Sequence, residues 1–393
     1  MDRSLDFQAY ADSISLESLL ACGSTKWSGG GGKIGAWVAE MDFGTAPAIT
    51  KALHAAVDEG AFGYLPPKFA AGLKEATASY YSDQFGWSID PSDVRQVPDV
   101  IAALELAIEH HSKPGSKIIV PTPTYFPFLM RPPQLGREVI EVPMIERDGR
   151  HAFDLNGLER AFADGGNLLV LCNPFNPLGR IFERQELSAI SELVERHDGR
   201  VFCDEIWAPL TFDDKRHIPY ASVNSASASH TITATSASKA WNLPGLKCAQ
   251  IILSNDADRK IWDRIGYFAS HGTANPGVIA NTVAYTAGGD WLAALVAYLD
   301  NNRRSLSDLV AEHLPGVRYR QPEGTYIAWL DFTDTHLAAG PAEFFRENAA
   351  VQISDGITCG KGFDGFGRFI FATPHHVMVT AFERMGAAFK TTG

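Results

Sequence analysis

Short apolar runs, many of them β-branched, punctuate the middle of the chain at 94–97, 117–120, 167–172, 200–203, 231–235 and 250–253. Runs of that length without polar alternation predict strands buried on both faces. Between them the pattern changes to helical spacing. Leu187, Ile190, Leu193 and Val194 mark one buried face over 185–197, and Ile101, Leu104, Ala107 and Ile108 mark another shortly after Pro98. Nearer the start, Ile49, Leu53, Ala56 and Val57 predict a helix from Pro47 that stops at Gly60, and a second helix covers 68–83. Strands alternating with helices predict an α/β fold, a mainly parallel sheet covered by helices. Such sheets bind ligands beyond the carboxyl ends of their strands.

After Pro276 the pattern predicts a long helix over 278–314, bent near Gly288 and Gly289. A strand over 325–332, a helix over 341–348, a strand over 368–372 and a closing helix over 379–389 follow. This is the texture of a smaller α+β domain. The first residues show no sustained period, yet they end in an aromatic and apolar run at 36–43 that must pack somewhere. The expected organisation is therefore an N-terminal segment, 1–45, joining the small domain, a large domain over 46–285, and a small domain over 286–393.

Composition narrows the partners. A net charge of −12 argues against general binding to nucleic acid or to anionic membrane. No apolar run reaches membrane-spanning length. The start lacks a basic stretch followed by an apolar one, so no signal peptide is expected. Five cysteines, far apart and without a Cys-x-x-Cys pair, read as free thiols of a reducing compartment rather than as a disulfide or metal framework. A soluble cytoplasmic protein is the expectation.

The candidate chemistry falls at the predicted strand ends. Lys239, in the Ser236-Ala-Ser-Lys stretch after the 231–235 run, is placed to form an imine with an aldehyde. Ser236 and Ser238 offer hydroxyls to a phosphate, and Lys247 a second cation. Asp204 closes the buried 200–203 run, where an acid requires a cationic partner, and a protonated pyridine nitrogen would serve. Asn176 offers a hydrogen bond to a ring oxygen, and Tyr125 offers a face to a flat ring. The amides around Val100 and Ile101, at a helix start, suit an anion. Trp37 has two readings, core packing or a place at a pocket mouth. Lysine, acid, amide and aromatic together describe pyridoxal phosphate (PLP).

On these residues, and on Lys26-Trp27, the 37–43 run, Gly63-Tyr64, 173–179, Asp204-Glu-Ile and 368–374, the chain resembles the fold type I PLP enzymes of the class I/II aminotransferase family. Within them it is most similar to the MalY/PatB-type cystathionine β-lyases. The resemblance implies that Lys239 holds the cofactor aldehyde and carries the proton at the substrate Cα, that Asp204 pairs with the pyridinium, that Tyr125 stacks on the ring and that Asn176 binds its oxygen. It implies a phosphate cradle of Ser236, Ser238, Val100, Ile101 and Lys247, completed by Tyr64 from a second subunit of a homodimer. It implies that Arg368 grips the substrate carboxylate. Three positions depart from the family: Lys247 replaces an arginine, Ile370 an asparagine, and Trp207 a tyrosine or histidine beside the cofactor. Trp207 reshapes the wall there. The implied reaction is β-elimination from an S-substituted cysteine. Transamination, or an oxidative or decarboxylating reaction, remains the alternative on the same cofactor.

Overall fold

The computed structural model describes residues 7–147 and 149–391 and divides into two compact units. The larger comprises Thr45–Pro174 and Ile181–Gly289. The smaller takes the described residues up to Gly44, the short insert Phe175–Arg180, and the chain from Asp290 onward. The insert lies in the middle of the stretch that the sequence assigns to the large domain.

The larger unit is built on a seven-stranded sheet, in the order Val94–Val97, Ala249–Leu253, Thr231–Thr235, Arg200–Asp204, Gly166–Cys172, Lys117–Thr122, Val139–Pro143. The last five are mutually parallel, and Ala249–Leu253 runs antiparallel to both of its neighbours. The central strands are apolar throughout because helices cover both faces, and Leu168, Leu171, Val201, Phe202 and Cys203 have no exposed surface. Val100–His110 turns Ala103, Leu104, Ala107 and Ile108 into that core. Arg184–Arg196 starts with a reciprocal Glu183–Glu186 capping box and buries Leu187, Ile190, Leu193 and Val194.

The smaller unit carries a five-stranded sheet, in the order Ile34–Ala36, Val351–Asp355, Phe366–Ile370, Ile327–Asp331, Arg318–Tyr319. The helices Gly289–His313, Pro341–Asn348 and His375–Lys390 belong to its stretch of chain. The predicted bent helix is instead two helices, Asn275–Ala287 and Gly289–His313. The Gly288 carbonyl between them accepts the Trp241 indole N–H at 3.0 Å, and a β-carbon at Gly288 would collide with that indole. The predicted strand at 368–372 is Phe366–Ile370, two residues earlier. Phe371 and Ala372 are as buried as the strand itself, so the apolar run outlasts the ladder.

Candidate active site

Register brings three chain segments to one edge of the large sheet. Cys172 pairs with Asp204, and Asp204 with Ala234. Asn173, Asp204 and the loop after Thr235 therefore leave the sheet side by side. That loop is fastened on both sides of Lys239. Ala237 N donates to Asn281 Oδ1 at 2.9 Å, Ser238 N to Ser236 Oγ at 3.0 Å, and Trp241 N to Ala237 O at 3.0 Å. Asn281 is buried on Asn275–Ala287, its own Nδ2 spent on Gly277 O. The sequence does not single it out, because an asparagine on a helix carries no local mark of a partner 44 residues away.

The Ser236 hydroxyl donates to Cys248 O at 2.7 Å. A hydroxyl has one proton, and here it braces the loop, with Asn281 Oδ1 a second acceptor 3.4 Å away. Ser238 Oγ has no hydrogen-bond partner among the described residues. Lys247, in the left-handed region at φ 52°, donates to Asp99 Oδ2 at 3.0 Å. Asp99 Oδ1 in turn accepts Ala102 N at 2.8 Å as the cap of Val100–His110. The lysine charge thus reaches the helix opening, where the Val100 and Ile101 amides have no partner within the helix.

Asp204 is buried at its strand end and accepts Ile206 N on Oδ1 at 3.0 Å. No donor among the described residues reaches Oδ2. Burial pushes the carboxyl up to about 7; the Ile206 amide and the Lys239 charge oppose that rise, and Glu205 adds to it. Lys239 Nζ lies 5.6 Å from the centroid of the buried Trp207 ring, whose face attracts a cation. Glu205, next to Asp204 in the chain, is also fully buried. It accepts Tyr220 N at 2.9 Å and Tyr81 Oη at 3.3 Å, and His217 Nε2 lies 3.0 Å away, outside hydrogen-bond alignment. Tyr125 packs edge-on against Phe126 and Phe128. Tyr64 is 91% exposed, its ring 6.4 Å from that of His271.

The smaller unit gathers a second group. Arg368 lies opposite Trp329 and Ser354 in the sheet. Its Nη1 donates to Asn176 Oδ1 at 3.2 Å, and its Nη2 donates to Trp37 O at 3.0 Å and to Ser354 Oγ at 3.2 Å. Trp37 is half-buried and serves through its carbonyl, while its indole N–H is held by Lys26 O at 3.1 Å.

This donor set suits PLP. An unclaimed oxygen on a buried carboxylate fits a pyridinium N–H. A lysine on the loop one strand over fits the aldehyde, and a helix opening with Lys247 at it fits the phosphate.

The family model of aminotransferase class I and II matches residues 35–384. A cystathionine β-lyase of Corynebacterium glutamicum is 38% identical over 89% of this chain and 92% of that protein. Cystathionine β-lyase PatB of Bacillus subtilis is 32% identical over 90% of this chain and 93% of its own. A solved structure from Corynebacterium diphtheriae, provisionally named a PLP-dependent β-cystathionase, has a TM-score of 0.90 at 40% identity, covering 96% of this chain and 98% of that one. The architecture is that of the fold type I PLP-dependent enzymes. The chain belongs to the class I and II aminotransferase family and, within it, to the MalY/PatB-type cystathionine β-lyases.

Proposed function

We propose that this protein is a PLP-dependent C–S β-lyase that converts an S-substituted cysteine and water to a thiol, pyruvate and ammonia. The observation that carries the proposal is the buried Asp204 carboxylate with an unclaimed oxygen, one strand over from the Lys239 loop. Bound PLP supplies the electron sink that acidifies the substrate Cα. Asp204 Oδ2 holds the ring nitrogen protonated, Asn176 Nδ2 donates to the ring oxygen, and Tyr125 covers a ring face. Ser238, Lys247 and the Val100 and Ile101 amides hold the phosphate. Arg368 orients the substrate carboxylate, and Lys239 Nζ takes the proton from Cα. A good sulfur leaving group on Cβ then departs before a proton is returned. Trp207 lines the site with apolar surface, which favours a bulky or apolar S-substituent over free cysteine. Incubation with cystathionine and a series of S-alkylcysteines should release pyruvate without any added keto acid. If no thioether yields pyruvate but the amino group passes to a keto acid, the protein is an aminotransferase instead.

The active unit in this reading is a two-fold homodimer. Phe62, Tyr64, Tyr267 and Phe268 are all at least 75% exposed on the larger unit, an expensive display of aromatic surface for a monomer. Tyr64 completes the phosphate cradle of the partner subunit. Tyr64→Phe and Lys239→Ala, each impaired alone, should on mixing regain up to about a quarter of wild-type activity through hybrid dimers with one intact site. Full activity from a monomer in solution refutes the shared site. No helix among the described residues is long and apolar enough to cross a membrane. Four of the five cysteines are buried free thiols, in keeping with a reducing compartment, and we place the enzyme in the cytoplasm.

A further inference from the structure

In the sequence, Lys26 stands out only in the Lys26-Trp27 pair that carries part of the family resemblance. In the structure it is 1% exposed, and its ammonium donates to Asp42 Oδ2 at 2.8 Å, Glu40 O at 3.2 Å and Ala372 O at 3.3 Å. Three donors are all that a lysine has. The other Asp42 oxygen accepts the Trp27 indole N–H at 2.8 Å, and Asp42 N donates to Ala372 O at 3.1 Å. Both charges are cut off from water, so each depends on the other.

The pair anchors one end of the 37–42 segment, and the same lysine anchors the other, because Trp37 Nε1 donates to Lys26 O at 3.1 Å. Gly35 permits that approach, since a β-carbon there would overlap Lys26 O. Between the anchors, Tyr326 Oη donates to Ala39 O at 3.0 Å. The segment has no helix or strand of its own. What it presents is the Trp37 carbonyl, which accepts Arg368 Nη2 at 3.0 Å and Ser354 Oγ at 2.9 Å. Ser354 Oγ also accepts from the same Nη2. One face of the guanidinium's hydrogen bonding is therefore set by a carbonyl whose position depends on residue 26.

We infer that the buried Lys26–Asp42 pair is a positioning device for Arg368, fixing the Trp37 carbonyl and through it the plane in which the guanidinium meets a substrate carboxylate. The inference rests on the reading of Arg368 as the carboxylate-binding group. Bidentate recognition by a planar fork is lost on small rotations, so a few tenths of an ångström at Trp37 O are felt at the substrate.

The test replaces the pair by neutral groups of similar size, Lys26→Met with Asp42→Asn, so that no lone charge is left buried. Asp42→Asn alone is the milder companion, and Arg368→Ala is the reference. Each holoenzyme is titrated with L-alanine and with L-alaninamide, which lacks the carboxylate, by following the visible absorbance of the bound cofactor. The double variant should bind L-alanine roughly tenfold more weakly while its affinity for L-alaninamide stays within about twofold, as expected for misorientation rather than loss of the site. Asp42→Asn should show a smaller loss of the same kind. Equal weakening of both probes, or no change, in variants that melt cooperatively overturns the positioning role. If Arg368→Ala meanwhile loses its preference for L-alanine, the reading of Arg368 stands without it. If Arg368→Ala keeps that preference, the carboxylate reading falls and takes the positioning role with it.

Discussion

Lys239→Ala should lower turnover by roughly 10⁴-fold, near the upper end of what one proton-transferring group contributes. The lysine is set on a loop held by Asn281, Ser236 and Trp241, so removing its side chain leaves the loop's fastenings intact. The proposed phosphate donors, Ser238 and Lys247 with the Val100 and Ile101 amides, are untouched, and the variant should still take up PLP, though more weakly. Lys239→Arg should be equally inactive, because a guanidinium stays protonated and neither bonds an aldehyde nor accepts a proton at neutral pH. Added methylamine should restore part of the lost rate by supplying the missing amine. A Lys239→Ala enzyme that keeps more than about a hundredth of wild-type turnover would remove this lysine from the proton transfer.

The second expectation concerns Asp204 in the cofactor-free protein. Burial raises its carboxyl to about 7, against an ordinary value of about 3.9 in the unfolded chain. Between these values the folded protein keeps a proton that the unfolded chain has released. Stability from this group is therefore complete below about pH 4 and is lost as pH rises through about 7. The slope is about 1.4 kcal/mol per pH unit, on the order of 4 kcal/mol across the window. Asp204→Asn cannot ionise, so denaturant unfolding of the cofactor-free variant should lack this fall, and the wild type should lose ground to it steadily from pH 5 to 7. Saturating PLP should erase the difference in slope, because a pyridinium opposite Oδ2 favours the charged carboxylate. Parallel curves for the two cofactor-free proteins would mean that the carboxylate is not buried as described.

How much of this was readable in the chain differs from element to element. The central strands were, because residues 168–172 and 201–203 are apolar without interruption and both faces of their sheet are covered. The edge strand Val139–Pro143 was not: it alternates with Glu141 and is only partly buried, as an edge strand can be. The same logic separates the site residues. Lys239, Asp204 and Asn176 stand at strand ends or in their loops, where a polar residue beside a buried run is itself a signal. The bracing role of Ser236 was not legible, since a hydroxyl next to a lysine looks the same whether its proton serves a ligand or the Cys248 carbonyl.

Local pattern therefore settled the fold class, the main helices and strands, and the lysine, acid and amide to which the chemistry is assigned. It could do so because strand and helix faces repeat every two or 3.6 residues, and that period survives in a one-dimensional list. Asn281, Glu205 and the Lys26–Asp42 pair were legible only in three dimensions. Each is a polar group that is stable in the interior because its partners arrive from elsewhere in the chain: Tyr81 reaches Glu205 across 124 residues, and the Ala372 carbonyl reaches Lys26 across 346. Nothing near residue 26 marks it as buried. Its burial follows from long-range hydrogen bonds that offset the desolvation of its charge, and folding alone brings those bonds together.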